Sequence, residues 1–137
     1  MSQPPYPQQP SYTPAPLSPS DERMWGMFGH LSAIAASFFA LPFLGPLIIF
    51  LVLKDRSGFV RGHTAEALNM TISFLVYQAV LTAVVTFLAI VTLGIGSALY
   101  ALNGVLALVF LVFTILAAVA ANRGQVYRYP LIFRLVR

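Results

Sequence analysis

Apolar residues in this chain fall into long unbroken blocks, and the charges gather at the block ends. Between Ala67 and Asn122 there is no Lys, Arg, Asp or Glu. Uninterrupted blocks of that length are the pattern of helices that cross a bilayer. The blocks predict spans at about 24–53, 65–92 and 98–122. The first, from Leu31 to Leu53, is interrupted by Pro42, Gly45 and Pro46. Each proline lacks a backbone donor and clashes with the preceding turn, so a kinked or broken helix is expected. A re-entrant hairpin is the alternative, because Leu47 to Leu53 makes only about 10 Å of helix.

Local signals set the boundaries. Ser20 is expected to cap the first helix, with Asp21 and Glu22 facing its positive end. Along it, Gly26, His30, Ala33, Ser37 and Ala40 recur on one face and suit close helix packing. Ser57 is expected to cap a second helix running from about Gly58 to Thr92, which at about 50 Å exceeds a bilayer core. Gly94 and Gly96 mark a turn, and Arg123-Gly124 a stop. The segment 128–137 opens at Pro130. Read as a helix, it sets Leu131, Ile132 and Leu135 against Arg134 and Arg137, an amphipathic piece for the membrane surface. The expected architecture is therefore an all-α integral membrane helical bundle of three transmembrane helices with a C-terminal interfacial helix. The domain occupies 20–137, behind a proline-rich, disordered tail over 1–19.

Composition agrees: 58% of the 137 residues are hydrophobic and 9% charged, against roughly 25% charged in soluble domains. The net charge of +4 flanks apolar blocks and forms no separate basic domain, which disfavours nucleic acid as a partner. There are no cysteines, which removes disulfides and thiolate chemistry. Trp25, Lys54, Arg56, Arg61, Arg123, Tyr127, Arg128, Tyr129, Arg134 and Arg137 are expected at the membrane interface, against lipid headgroups. The positive-inside rule puts the Lys54–Arg61 loop and the C-terminus in the cytoplasm. Three crossings then place the N-terminus outside; a re-entrant first block would leave it inside.

One pattern breaks the apolar regularity. His63, Glu66 and Asn69 share a helix face, continued by Ser73 and Tyr77, with His30 a possible partner from the first helix. Three uses compete. The first is a hydrogen-bonded cluster joining helices. The second is a metal or haem site built on the two histidines and a carboxylate. The third is a polar lining for ions or polypeptide, which needs an oligomer. Three crossings separate His30 from His63 by the bilayer and weaken the metal reading. No nucleophile motif or phosphate loop is present. The chain is expected to be a non-enzymatic membrane protein without a cofactor, acting through self-association or a membrane partner.

Three segments together, Leu44-Gly-Pro-Leu-Ile-Ile49, Phe59-Val-Arg-Gly-His-Thr-Ala-Glu-Ala-Leu-Asn69 and Gly124-Gln-Val-Tyr-Arg-Tyr-Pro130, resemble a family of small bacterial membrane proteins of unknown function. That family is grouped with the chloroplast import-channel (Tic-type) proteins. Trp25 and His30-Leu31-Ser32 also fit. Gly62 departs from the pattern, where an acidic residue is expected. The resemblance implies a helical membrane fold and, through the plastid relatives, a translocation or channel role.

Overall fold

The structure is a computed structural model, and it describes residues 13–137. Positions 1–12 of the expected disordered tail lie outside the described residues. The described residues form four α-helices: α1 (Pro19–Ser37), α2 (Leu44–Leu53), α3 (Gly58–Val91) and α4 (Ala101–Asn122). A short 3-10 turn, Ile95–Tyr100, leads into α4.

The cap of α1 is Ser18, two residues before the expected Ser20; its hydroxyl accepts from the Asp21 amide at 3.2 Å. Pro19 then occupies the first turn, where its missing N–H costs nothing. Ser57 caps α3 as expected, accepting from the Val60 amide at 3.1 Å.

Among the described residues, only α3 and the 3-10 turn with α4 are long and apolar enough to cross a membrane. The first block does not continue as a single span. At Ser37 the helix ends, Ala40 takes a left-handed φ of 58°, and α2 folds back against α1. Gly45 makes this possible: a Cβ there would lie 2.5 Å from the Ser32 carbonyl oxygen. The two ends of this helical hairpin meet again, with the Leu17 amide donating to the Arg56 carbonyl at 3.2 Å. Ser57 also donates to Glu22 at 2.6 Å. The break at Pro42, Gly45 and Pro46 is thus a reversal, and the expected Leu31–Leu53 crossing is corrected to a hairpin.

α1 is a wedge. It packs more extensively on α3 and on α4 than those helices pack on one another. Its small residues set the distance: a Cβ on Gly26 would meet the Phe59 ring at 2.9 Å, and one on Gly29 would meet Thr64 at 2.7 Å. These two pairs climb together, so α1 runs alongside the start of α3. At 1.5 Å per residue it ends about level with residue 72. Beyond that level α3 has α4, the 3-10 turn and, as far as Tyr77, the C-terminal segment beside it. The small-residue face therefore works at Gly26, His30 and Ala33, which are buried; Ser37 and Ala40 are exposed.

The expected C-terminal interfacial helix is absent. Gly124 turns the chain out of α4 with a φ of 73°, and residues 125–137 run extended and irregular. Tyr129 precedes a proline, a position from which the helical region is sterically disfavoured. Leu131 takes a left-handed φ of 55°. There the segment reverses, so residues 125–137 climb beside α3 and come back down it.

Candidate functional site

An extended segment leaves its backbone donors and acceptors unpaired, and buried ones need partners. The polar stripe of α3 supplies them. The Glu66 carboxylate accepts from the Tyr129 amide at 3.3 Å and from Arg134 Nε at 3.0 Å. Tyr77 donates its hydroxyl to the Leu131 carbonyl at 2.7 Å, at the top of the reversal. On the way down, the Phe133 amide donates to Ser73 Oγ at 2.8 Å. The Leu135 and Val136 amides both donate to Asn69 Oδ1 at 2.8 Å, and Asn69 Nδ2 donates to the Val136 carbonyl at 2.9 Å. Arg61 reaches the Arg137 carbonyl at 3.2 Å. Arg134 closes the reversal internally, donating to the Tyr129 carbonyl at 2.9 Å. The stripe read from the sequence is therefore a seat for the chain's own C-terminal segment.

The two histidines extend it inward. Contrary to the separation that three crossings imply, His30 and His63 touch. His30 Nε2 lies 2.9 Å from His63 Nδ1, His30 Nδ1 lies 2.9 Å from the Tyr129 hydroxyl, and His63 Nε2 lies 3.1 Å from the Gln125 carbonyl oxygen. A carbonyl only accepts, which fixes the tautomers of the neutral pair. His63 donates from Nε2 to Gln125, His30 donates from Nε2 to His63 Nδ1, and Tyr129 donates to His30 Nδ1. The chain of bonds starts and ends in the C-terminal segment and passes through α1 and α3. Burial, and then the neighbouring His63, hold His30 at a pKa of about 3, so it stays neutral. Burial likewise raises the Tyr129 phenol well above its ordinary value.

This geometry redistributes the expected site residues. His30, His63, Glu66, Asn69, Ser73 and Tyr77 come together around the C-terminal segment. Among the described residues, no group of three or more His, Cys, Asp or Glu is placed to hold a metal ion. Tyr129, expected at an interface, is buried to 2% exposure in the core. Trp25 and Tyr127 are half-buried; Lys54, Arg56, Arg61, Arg123, Arg128, Arg134 and Arg137 lie at the level of the chain ends, and most are exposed. Two links escaped sequence reasoning. Ser57 to Glu22 ties α3 to α1, and Thr82 Oγ1 to Asn103 Oδ1 at 3.0 Å ties α3 to α4.

The whole of this site, and nearly all of the chain, falls within one family description. Residues 21–136 match the model of the magnetosome magnetite crystal formation protein family, MamF/MmsF. The chain belongs to the MamF/MmsF family. The match covers α1 to α4 and the C-terminal segment, so the MamF/MmsF unit includes both the stripe and its occupant. No curated protein and no solved structure matches the chain. The relationship to Tic-type import channels expected from the sequence finds no counterpart in these comparisons.

Proposed function

We propose that this MamF/MmsF-family chain is a non-enzymatic integral membrane protein that acts through self-association or a membrane partner. One observation carries the reading: in the most apolar window of α3, only 6% of residues are buried. Val80, Val84, Phe87, Ile90 and Val91 are all more than half exposed. Bare apolar surface on that scale needs lipid or another protein over it. In this reading α3 and α4 cross the bilayer, and the α1–α2 hairpin enters from one side and returns to it.

The charge distribution supports a direction. All eight basic residues sit at one end, on the start of α1, the α2–α3 loop, the first turns of α3, and the segment after α4. The other end carries no charge. Positive-inside then puts both chain ends in the cytoplasm, which replaces the outside N-terminus expected from three crossings. The family description ties such proteins to magnetite crystal formation; for this chain we propose a structural part in membrane organisation.

A translocation or channel subunit is the alternative, and the stripe was its main support. The stripe's groups are already bonded to residues 125–137, which leaves that reading without a polar lining on α3.

The test is fractionation with sidedness. The chain should stay in the pellet after carbonate washing, and tags at either end should be protected from protease in intact spheroplasts. Release into the supernatant overturns the membrane reading; cleavage of the N-terminal tag alone restores three crossings.

A further inference from the structure

The α3 face bearing Gly58 and Gly62 is unoccupied. A Cβ built on either glycine meets nothing within 4 Å. The C-terminal segment passes beside this face and borders a half-open cavity of about 500 Å³. Its lining is mostly apolar, with Phe59, Ala65, Val126 and Val136, and also includes His63, Tyr127 and Glu66, whose carboxylate is taken by Arg134. Three arginines line it as well, Arg128, Arg134 and Arg137. Arg134 is engaged by Glu66 at 3.0 Å, the sole ion pair among the described residues. Arg128 and Arg137 have no carboxylate partner there.

An apolar recess with two uncompensated cations is complementary to an amphiphilic anion. A free inorganic anion would leave the apolar walls unused. Its place in the molecule names the source: the cavity lies in the first turns of α3, at the end that collects every charge, where lipid headgroups sit in the membrane reading. We propose that this cavity binds the phosphate headgroup of an anionic phospholipid, with Arg128 and Arg137 on the phosphate and the Phe59, Val126 and Val136 walls against the adjoining glycerol and acyl carbons. Arginine suits the role because its fixed fork of donors matches phosphate oxygens.

The proposal rests on the membrane reading, but its test is separate, because it is run on the full chain already in detergent micelles. Native mass spectrometry would count bound phosphatidylglycerol, with phosphatidylcholine of the same acyl chains and inorganic phosphate as the other probes. One phosphatidylglycerol per chain is expected, retained against inorganic phosphate and not matched by phosphatidylcholine. Arg128→Gln and Arg137→Gln should each weaken it about fivefold, the ordinary contribution of one cation near an anionic lipid surface. Lys54→Gln removes the same charge from the same end of the molecule but outside the cavity, and should change binding less than about twofold.

Gly62→Leu is the second arm. Its Cβ meets no protein atom within 4 Å, its branched end projects into the cavity, and it improves helix propensity, so the chain should unfold at the same temperature or higher while the lipid is lost. Equal weakening by Lys54→Gln would reduce the effect to general surface charge and overturn the site. Equal binding of phosphatidylcholine, displacement by inorganic phosphate, or full lipid binding by Gly62→Leu would overturn it too. None of these results bears on whether α3 and α4 span the membrane.

Discussion

The two halves of α3 are covered in opposite ways. From Val60 to Ser73 the helix is enclosed except on its Arg61–Gly62 side, with Val60, Thr64, Asn69, Thr71 and Ser73 at or below 1% exposure. From Leu75 to Val91 one residue, Val85, is buried. The enclosed half carries both charged residues of α3 and most of its polar ones, and the bare half is mostly apolar, with Tyr77, Gln78, Thr82 and Thr86 as its polar residues. That inverts the habit of a water-soluble protein, where apolar residues collect inside. In the proposed membrane reading this is expected: polar groups that enter a membrane segment must be bonded within the protein, and here they are the ones covered, by α1 and by the C-terminal segment. Lipid-facing apolar residues need no protein partner. In the proposed membrane reading, the lower half is held by many specific bonds, and the upper half by lipid and a few bonds to α4 such as Thr82 to Asn103.

Substitutions should therefore be costly below and mild above. The largest effect is expected from Asn69→Ala. It strands two amides and a carbonyl of residues 135–136, at about 1 kcal/mol or more for each group, or about 3 kcal/mol in all. Urea unfolding in micelles would measure it. Next is Gly45→Ala, which forces a methyl group against the Ser32 carbonyl. Overpacking of this kind costs about 1–3 kcal/mol, and the loss should appear as increased protease cutting between α1 and α2.

Acidification comes third. His30 is neutral in the folded chain, with a pKa of about 3 against 6.5 when unfolded. The unfolded chain binds the extra proton, so stability rises with pH. The contribution is complete above about pH 6.5 and is lost as pH falls towards 3, amounting to roughly 2 kcal/mol at pH 5. A His30→Gln variant should flatten that part of the stability–pH curve. The smallest effect is expected in the bare half: Phe87→Ala, at a residue 64% exposed, should shift micellar stability by less than about 0.5 kcal/mol. A loss as large as that of Asn69→Ala would mean that the upper half is packed against another copy.

The same two halves differ in what their sequence revealed. Residues 65–92 and 98–122 announce themselves, because length and absence of charge are local properties of a spanning helix. The stripe was equally legible, since i, i+3 and i+4 spacing needs no knowledge of the rest of the chain. Its occupant was not. Glu66 meets Tyr129 across 63 positions, and no local pattern records such a pairing. The helix expected over 128–137 rests on Pro130 as an opener and on Leu131, Ile132 and Leu135 facing away from Arg134 and Arg137, whereas the Tyr129-Pro130 pair disfavours helical backbone at Tyr129. Likewise Pro42 and Pro46 announced a break without giving its angle. That angle is set by the bare Gly45 against Ser32, a contact between helices. His30 and His63 became neighbours only through that reversal.

Amide hydrogen exchange of the wild-type chain in micelles tests the central claim, that the α3 stripe seats the C-terminal segment. The Phe133, Leu135 and Val136 amides should be protected, and Asn69→Ala should release Leu135 and Val136 while sparing Phe133, which bonds to Ser73. Free exchange at all three amides in the unaltered protein would contradict it.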